Sequence, residues 1–177
     1  ASKVDAYYKN PLLFIPFPPE AKKVADKLRQ LGFGAKVDQF TATLNHAAEN
    51  AAKSAAPIFV TAVKSMTITD GMTILKGNND AATQYLKKST SSQLNVQFKP
   101  VINNALNQTN ATKYWTEIIS IYNKVPGITK MNPDLAAYTT QKAIDGLFIL
   151  VAKEELKIRQ DPAARVTDIL RKVFGQK

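Results

Sequence analysis

The sequence predicts an all-α fold: a single helical bundle of roughly seven or eight helices, overlaid by an N-terminal proline-rich extended strap. Three observations predict it. From Glu20 onward apolar residues recur at i, i+3, i+4 and i+7 almost throughout. No stretch alternates apolar and polar residues as a half-buried strand would. Helix caps, prolines and glycines punctuate the chain at helix-length intervals. The 177 residues carry no internal repeat and no domain-sized shift in composition. One domain over residues 1–177 is expected, with the strap at 1–19 and the helical body at 20–177.

Residues 10–19 read NPLLFIPFPP. Four prolines remove backbone donors and exclude a helix interior, while Leu12, Leu13, Phe14, Ile15 and Phe17 are too apolar for a free linker. The first helix follows, with Ala21, Val24, Ala25, Leu28 and Leu31 on one face, and ends at Gly32 and Gly34. Val37, Phe40, Leu44, Ala47, Ala48 and Ala51 trace a long second helix that Pro57 breaks or kinks. Its continuation carries Ile58, Phe59, Ala62, Val63 and Met66. Thr69 is read as the cap of a short helix through Leu75, closed by Gly77. Asp80 is read as the N-cap of the next helix, weakened over Ser89–Ser92, where side chains compete for backbone hydrogen bonds. Pro100 is read as the start of another turn, and residues 107–110 as a loop. Tyr114, Trp115, Ile118, Ile119 and Tyr122 mark a helix ending before Pro126. Asn132-Pro133 reads as a cap plus first-turn proline, opening a helix to about residue 160. Its middle, GLFILVA, is apolar on every side and predicts a central buried helix. After Asp161-Pro162, the stripe Val166, Ile169, Leu170, Val173 and Phe174 predicts a last docked helix.

Composition narrows the chemistry. Lys and Arg number 24 against 14 Asp and Glu, a net charge of +10, so part of the surface carries a positive field suited to an anionic partner. The absence of Cys excludes disulfides, thiolate catalysis and Cys-type zinc sites. The longest apolar stretch, Gly146 to Ala152, falls far short of the ~18–20 residues of a spanning helix. The polar opening ASKVDAYYKN shows no secretion leader and fits the start of a mature or trimmed chain.

Few residues carry a chemical signal. His46 is the only histidine. Glu49, three residues on, shares its helix face and makes the pair a candidate metal or acid/base site, against which stand the missing second His and the absence of HExxH. Asp145 lies in the most apolar helix, where a carboxylate must be paired, hydrogen-bonded or protonated. Lys142 and Arg165 are its candidate partners. It is read either as a structural ion pair or as a perturbed carboxylate lining a pocket. Arg159 and Arg165 flank the Asp161-Pro162 turn and are candidate anion ligands, with local pairing of Arg165 to Asp168 as the other reading. Lys22, Lys23, Lys27 and Arg29 form one basic cluster. Lys153, Lys157, Arg171, Lys172 and Lys177 form another. Such clusters meet anionic membrane surfaces or phosphate backbones, or simply remain hydrated. Tyr7, Tyr8, Phe14 and Phe17, and again Tyr114, Trp115 and Tyr122, are core packing or the wall of a sugar- or lipid-binding groove. Thr61-x-x-Lys64 lacks the companion motifs of the Ser-x-x-Lys enzymes.

The segments NPLLFIPFP, LGFGAKVDQF, LNHAAENAA, AAPIFVTAVKSMTITDGMTILKG, DAATQYL, FKPVI, KAIDGLFILVAKEELKIRQDPAAR and TDILRKVFG together resemble the bacterial domain-of-unknown-function 4197 family. The resemblance runs in consistent order over nearly the whole chain. It implies a secreted protein of the envelope or periplasm with its leader removed, and it transfers no activity and no catalytic residue. Two features depart from the family pattern: Phe14 stands in the strap where a basic residue is frequent, and the helical stretch that tends to precede the strap is shortened to ASKVDAYYK.

The leading expectation is therefore a non-catalytic envelope or periplasmic binding protein for an anionic lipid, a cell-wall polymer or a protein partner, with no cofactor and no metal. One alternative is an enzyme with a pocket acid/base centred on Asp145. The other is a basic nucleic-acid-binding domain, which lacks any recognisable motif.

Overall fold

A computed structural model describes residues 5–124, 126–127, 130, 132–161 and 163, apart from the side chain at position 121. Among them a short 3-10 turn, Pro19–Ala21, precedes seven α-helices, and no strand occurs. They are α1 (Lys22–Gln30), α2 (Gly34–Ala52), α3 (Ala55–Lys64), α4 (Ile68–Lys76), α5 (Ala81–Gln108), α6 (Ala111–Tyr122) and α7 (Leu135–Gln160). The expected helix after Asp161, with Arg165, Asp168, Arg171, Lys172 and Lys177, lies outside the described residues.

The axis of the bundle is α5, which packs against α2, α3, α4, α6 and α7. Leu94, Phe98, Ile102 and Leu106, four residues apart, are fully buried along its length, one continuous stripe on the core. That stripe corrects the reading of Pro100 as a helix start, because α5 runs straight through it. Pro100 is exposed, so the carbonyl it leaves unpaired, that of Val96, sits on the solvent side, where water can satisfy it. Ser89, Thr90 and Ser91 return their hydroxyls to carbonyls four residues back, so the expected weak point stays helical. The run GLFILVA of α7 is buried at Gly146, Leu147 and Phe148 and turns Ile149 out to solvent; the helix packs along α5 and α2 and touches α6.

Several boundaries differ from the sequence reading. The chain breaks between α2 and α3 at Lys53-Ser54, and Pro57 sits in the first turn of α3, where an N–H has no helical partner anyway. Thr67, not Thr69, caps α4. Its hydroxyl accepts from the Asp70 N–H while the Asp70 carboxylate accepts from the Thr67 N–H, a reciprocal capping box. For α7 the cap is Asp134, which accepts from the Ala137 N–H, whereas Asn132 only accepts from the Asp134 N–H. Gly32 ends α1 with φ +88°, as its position predicted.

The strap lies on the helices as expected, but its first part is a turn rather than extended, with the Leu13 and Phe14 N–H groups donating to the Asn10 carbonyl; Leu13 and Ile15 are buried while Leu12 and Phe14 face out. Its fastenings are polar. Asn45 on α2, fully buried, accepts from the Ile15 N–H and donates to the Ile15 carbonyl, at 2.8 and 2.9 Å. Glu49 accepts from the N–H groups of Tyr7 and Tyr8. The Tyr7 hydroxyl donates to the Ala143 carbonyl of α7 at 2.6 Å, and the Tyr138 hydroxyl to the Pro16 carbonyl.

Candidate functional site

Two features stand apart from the packed core. The first is a groove of about 560 Å³ between the strap, α1, the first half of α2 and α6. Phe17 from the strap, Phe40 from α2 and Trp115 from α6 form its aromatic wall. Phe17 sits 5.0 Å from Phe40 and 5.8 Å, edge-on, from Trp115, and Phe40 stacks on Trp115 at 6.1 Å. Leu28, Phe33, Val37, Tyr114 and Ile118 extend the apolar lining, and the polar groups are Lys36, Gln39, Thr43, Thr109 and Asn110. No carboxylate is among them. The aromatic residues picked out in the sequence thus divide. Phe17, Tyr114 and Trp115 meet here, whereas Tyr7 is buried under Gly146 and Tyr8 packs on Phe14 and His46.

The second feature is the hairpin of α3 and α4. No residue of α4 is buried. Ile68 is 88% exposed, and Met72, Leu75, Val60 and Val63 are also exposed. No single helix among the described residues is long and apolar enough to cross a membrane. The two hairpin helices reach that hydropathy only together, and they are bent by 106° to one another. Between residues 53 and 88 the chain carries Lys53, Lys64, Lys76, Lys87 and Lys88 against Asp70 and Asp80. The Thr67 hydroxyl and N–H, with Lys88 beyond them, hold the Asp70 carboxyl below the ordinary range. Asp80 takes a hydrogen bond from Gln84.

The family model described as "Protein of unknown function (DUF4197)" matches residues 1–175. The chain belongs to this family. No curated protein and no solved structure matches it.

In this DUF4197 chain the residues proposed from sequence fall into three groups. Asp145 is half-buried and accepts from the Gln141 amide at 2.9 Å. It lines neither the groove nor the shallow cleft at Lys99 and Asp134. Lys142, its candidate partner, extends over the Tyr138 ring, and Arg165 lies outside the described residues. His46 and Glu49 do share a face, and the strap adds Asp5: their ligand atoms lie within 4.8 Å of one another. The Lys9 ammonium, 2.7 Å from Asp5, and after it His46, hold the Asp5 carboxyl below the ordinary range, while Glu49 is engaged by two backbone N–H groups. A cation would compete with the groups that fasten the strap. Among the basic residues, Lys22 pairs with Asp26 and Arg29 with Asp38. Lys23 and Lys27 are exposed, as are Lys153 and Lys157.

Arg159 is placed differently from the expectation of an anion ligand. Its guanidinium holds Glu155 at 2.8 Å and donates to the Ile74 carbonyl at the end of α4, both side chains about nine-tenths buried. Glu155 in turn accepts from the N–H groups of Ala82 and Thr83 and from the Thr83 hydroxyl. It therefore caps α5 from another helix, in place of Asp80, whose side chain makes no cap. Burial works to raise the Glu155 pKa; the hydrogen bonds from Ala82, Thr83 and Arg159 outweigh it and hold the carboxyl below the ordinary range. Glu155 was missed by sequence reasoning, although it continues the buried stripe Ile144, Leu147, Phe148 by helical spacing.

Proposed function

We propose that this chain is a non-catalytic binding protein that docks on an anionic bilayer surface through the α3–α4 hairpin. The observation that carries the reading is α4, a nine-residue helix with no buried residue and with Ile68, Met72 and Leu75 turned to solvent. An interfacial helix sinks its apolar side about 5–10 Å into the headgroup boundary. Lysines beside it each add about 1 kcal/mol of attraction to an anionic leaflet, and five lysines stand against two engaged aspartates in this part of the chain. An anionic polymer or a nucleic acid would use the lysines and leave the exposed Ile68 and Met72 without a role. A protein partner would use the apolar side chains and not the charge. The envelope location that the family resemblance implies would supply such a bilayer.

Vesicle co-sedimentation tests the reading. The protein should bind phosphatidylglycerol-containing vesicles, lose most binding to pure phosphatidylcholine, and weaken as salt rises. Ile68→Asp removes an apolar contact of about 1.5–3 kcal/mol, so partitioning should fall at least tenfold. Aspartate in the first turn of α4 suits the helix dipole, and in the lipid-free protein the substitution should change stability by no more than about 0.5 kcal/mol. Equal binding to both vesicle types, or unchanged binding by Ile68→Asp, overturns the proposal. So does a large loss of lipid-free stability, which would mean that this face is already covered.

A further inference from the structure

We infer that the aromatic groove is a binding site for a single-chain anionic amphiphile: an acyl chain ending in a carboxylate or phosphate. This goes beyond bilayer docking and stands without it, since the two features belong to opposite ends of α5. The groove is bounded by Thr109 and Asn110, just past that helix's C-terminus. The hairpin is joined through Ile74, Arg159 and Glu155 to its N-terminus. At 1.5 Å per residue the 28 residues of α5 span about 42 Å.

Two observations specify the ligand. The volume, about 560 Å³, lies within the range of small-molecule sites, which are mostly apolar with a few placed polar groups. The lining has that composition. Phe17, Phe40 and Trp115 form a wall suited to a hydrocarbon chain, continued by Leu28, Phe33, Val37 and Ile118. The charge is one-sided: Lys36 is exposed at the rim, makes no ion pair among the described residues, and faces no lining carboxylate. An anionic head is therefore favoured over a neutral or cationic one.

Trp115 is the only tryptophan, so its fluorescence reports the groove alone. The intact protein should give a saturable change in emission with dodecanoate below its micelle concentration. Dodecyltrimethylammonium and dodecyl maltoside, with the same chain and a cationic or neutral head, should bind at least tenfold more weakly. Lys36→Glu should invert the order of dodecanoate and dodecyltrimethylammonium. Thr43→Phe, which fills the groove from α2, should abolish the response while the melting temperature is retained. Dodecyl phosphate and dodecanoate then separate the two head chemistries, and binding of either supports the site. No saturable response to either anion, equal affinity for all three head types, or wild-type binding by Thr43→Phe overturns the inference. Should vesicle binding fail while dodecanoate binds, the docking proposal falls and the groove stands.

Discussion

At the scale of single residues, the strap is held by side chains that imitate backbone. Asn45 offers Ile15 an amide edge, one acceptor and one donor, as a neighbouring strand would, so an extended segment rich in proline settles on helices without a sheet. Gly146 is the complementary case. A Cβ there would stand 2.8 Å from the Tyr7 ring, which is wholly buried and tied by its hydroxyl to Ala143. Alanine improves helix propensity by about 1 kcal/mol, but forcing a buried ring aside costs about 1–3 kcal/mol or more. Gly146→Ala should therefore fail to stabilise and is expected to lower the urea midpoint without changing the m-value. A rise in midpoint would show that the ring can shift. Neither residue announced itself in the sequence. Asn45 lies on the stripe of Val37, Thr41, Leu44 and Ala48, where helical spacing marks a buried polar group once the stripe is followed through it. Asp145 shows the opposite error. The apolar composition of its surroundings suggested burial, but its spacing from Gln141 and Ile149, both exposed, puts it at the edge of the outer face.

At the scale of elements, periodicity located the helices and punctuation misplaced their ends. Pro100 reads as a boundary from local chemistry. Tertiary packing of Leu94 and Phe98 before it and Ile102 and Leu106 after it keeps one helix continuous, because the lost hydrogen bond lies on the wet side. The joint between α4, α5 and α7 was hidden for a related reason: Glu155 and Arg159 at i, i+4 look like an ordinary surface pair and become buried only when two other helix ends arrive. Replacing the carboxylate takes one charge out of a buried pair and a charged acceptor out of the α5 cap, so Glu155→Gln should cost about 3 kcal/mol at neutral pH. At this chain length that lowers the melting temperature by roughly 6–12 °C. The pH dependence has a definite sign. The folded Glu155 carboxyl titrates below its unfolded value, so its contribution is fully present above the ordinary glutamate pKa and is lost as pH falls through the depressed one. The gap between wild type and Glu155→Gln should narrow on acidification. A constant gap down to acidic pH would assign the loss to shape rather than charge.

For the whole molecule, the net charge of +10 was readable at once, and its distribution was not. Some of the lysines and arginines first noticed, Lys22, Arg29 and Arg159, are engaged with carboxylates, while Lys36 at the groove drew no notice and Lys64 on the hairpin drew notice only for its spacing from Thr61. Separation of the two features along α5 predicts independence. Thr43→Phe should leave vesicle binding unchanged, and Ile68→Asp should leave the Trp115 titration unchanged. Mutual effects in both directions would instead require coupling through the bundle. The strap adds a constraint of a different kind, on order of assembly. Its fastenings reach forward 30 residues to Asn45, 42 to Glu49 and 136 to Ala143. At about 5–20 residues per second of synthesis, the carbonyl that receives the Tyr7 hydroxyl is made roughly 7–27 s after Tyr7 itself. Throughout that interval NPLLFIPFPP is an apolar segment with an incomplete docking site, since Asn45 on α2 follows Ile15 by 30 residues while the α7 side is still to be made, and the interval is long enough for a holding chaperone to act.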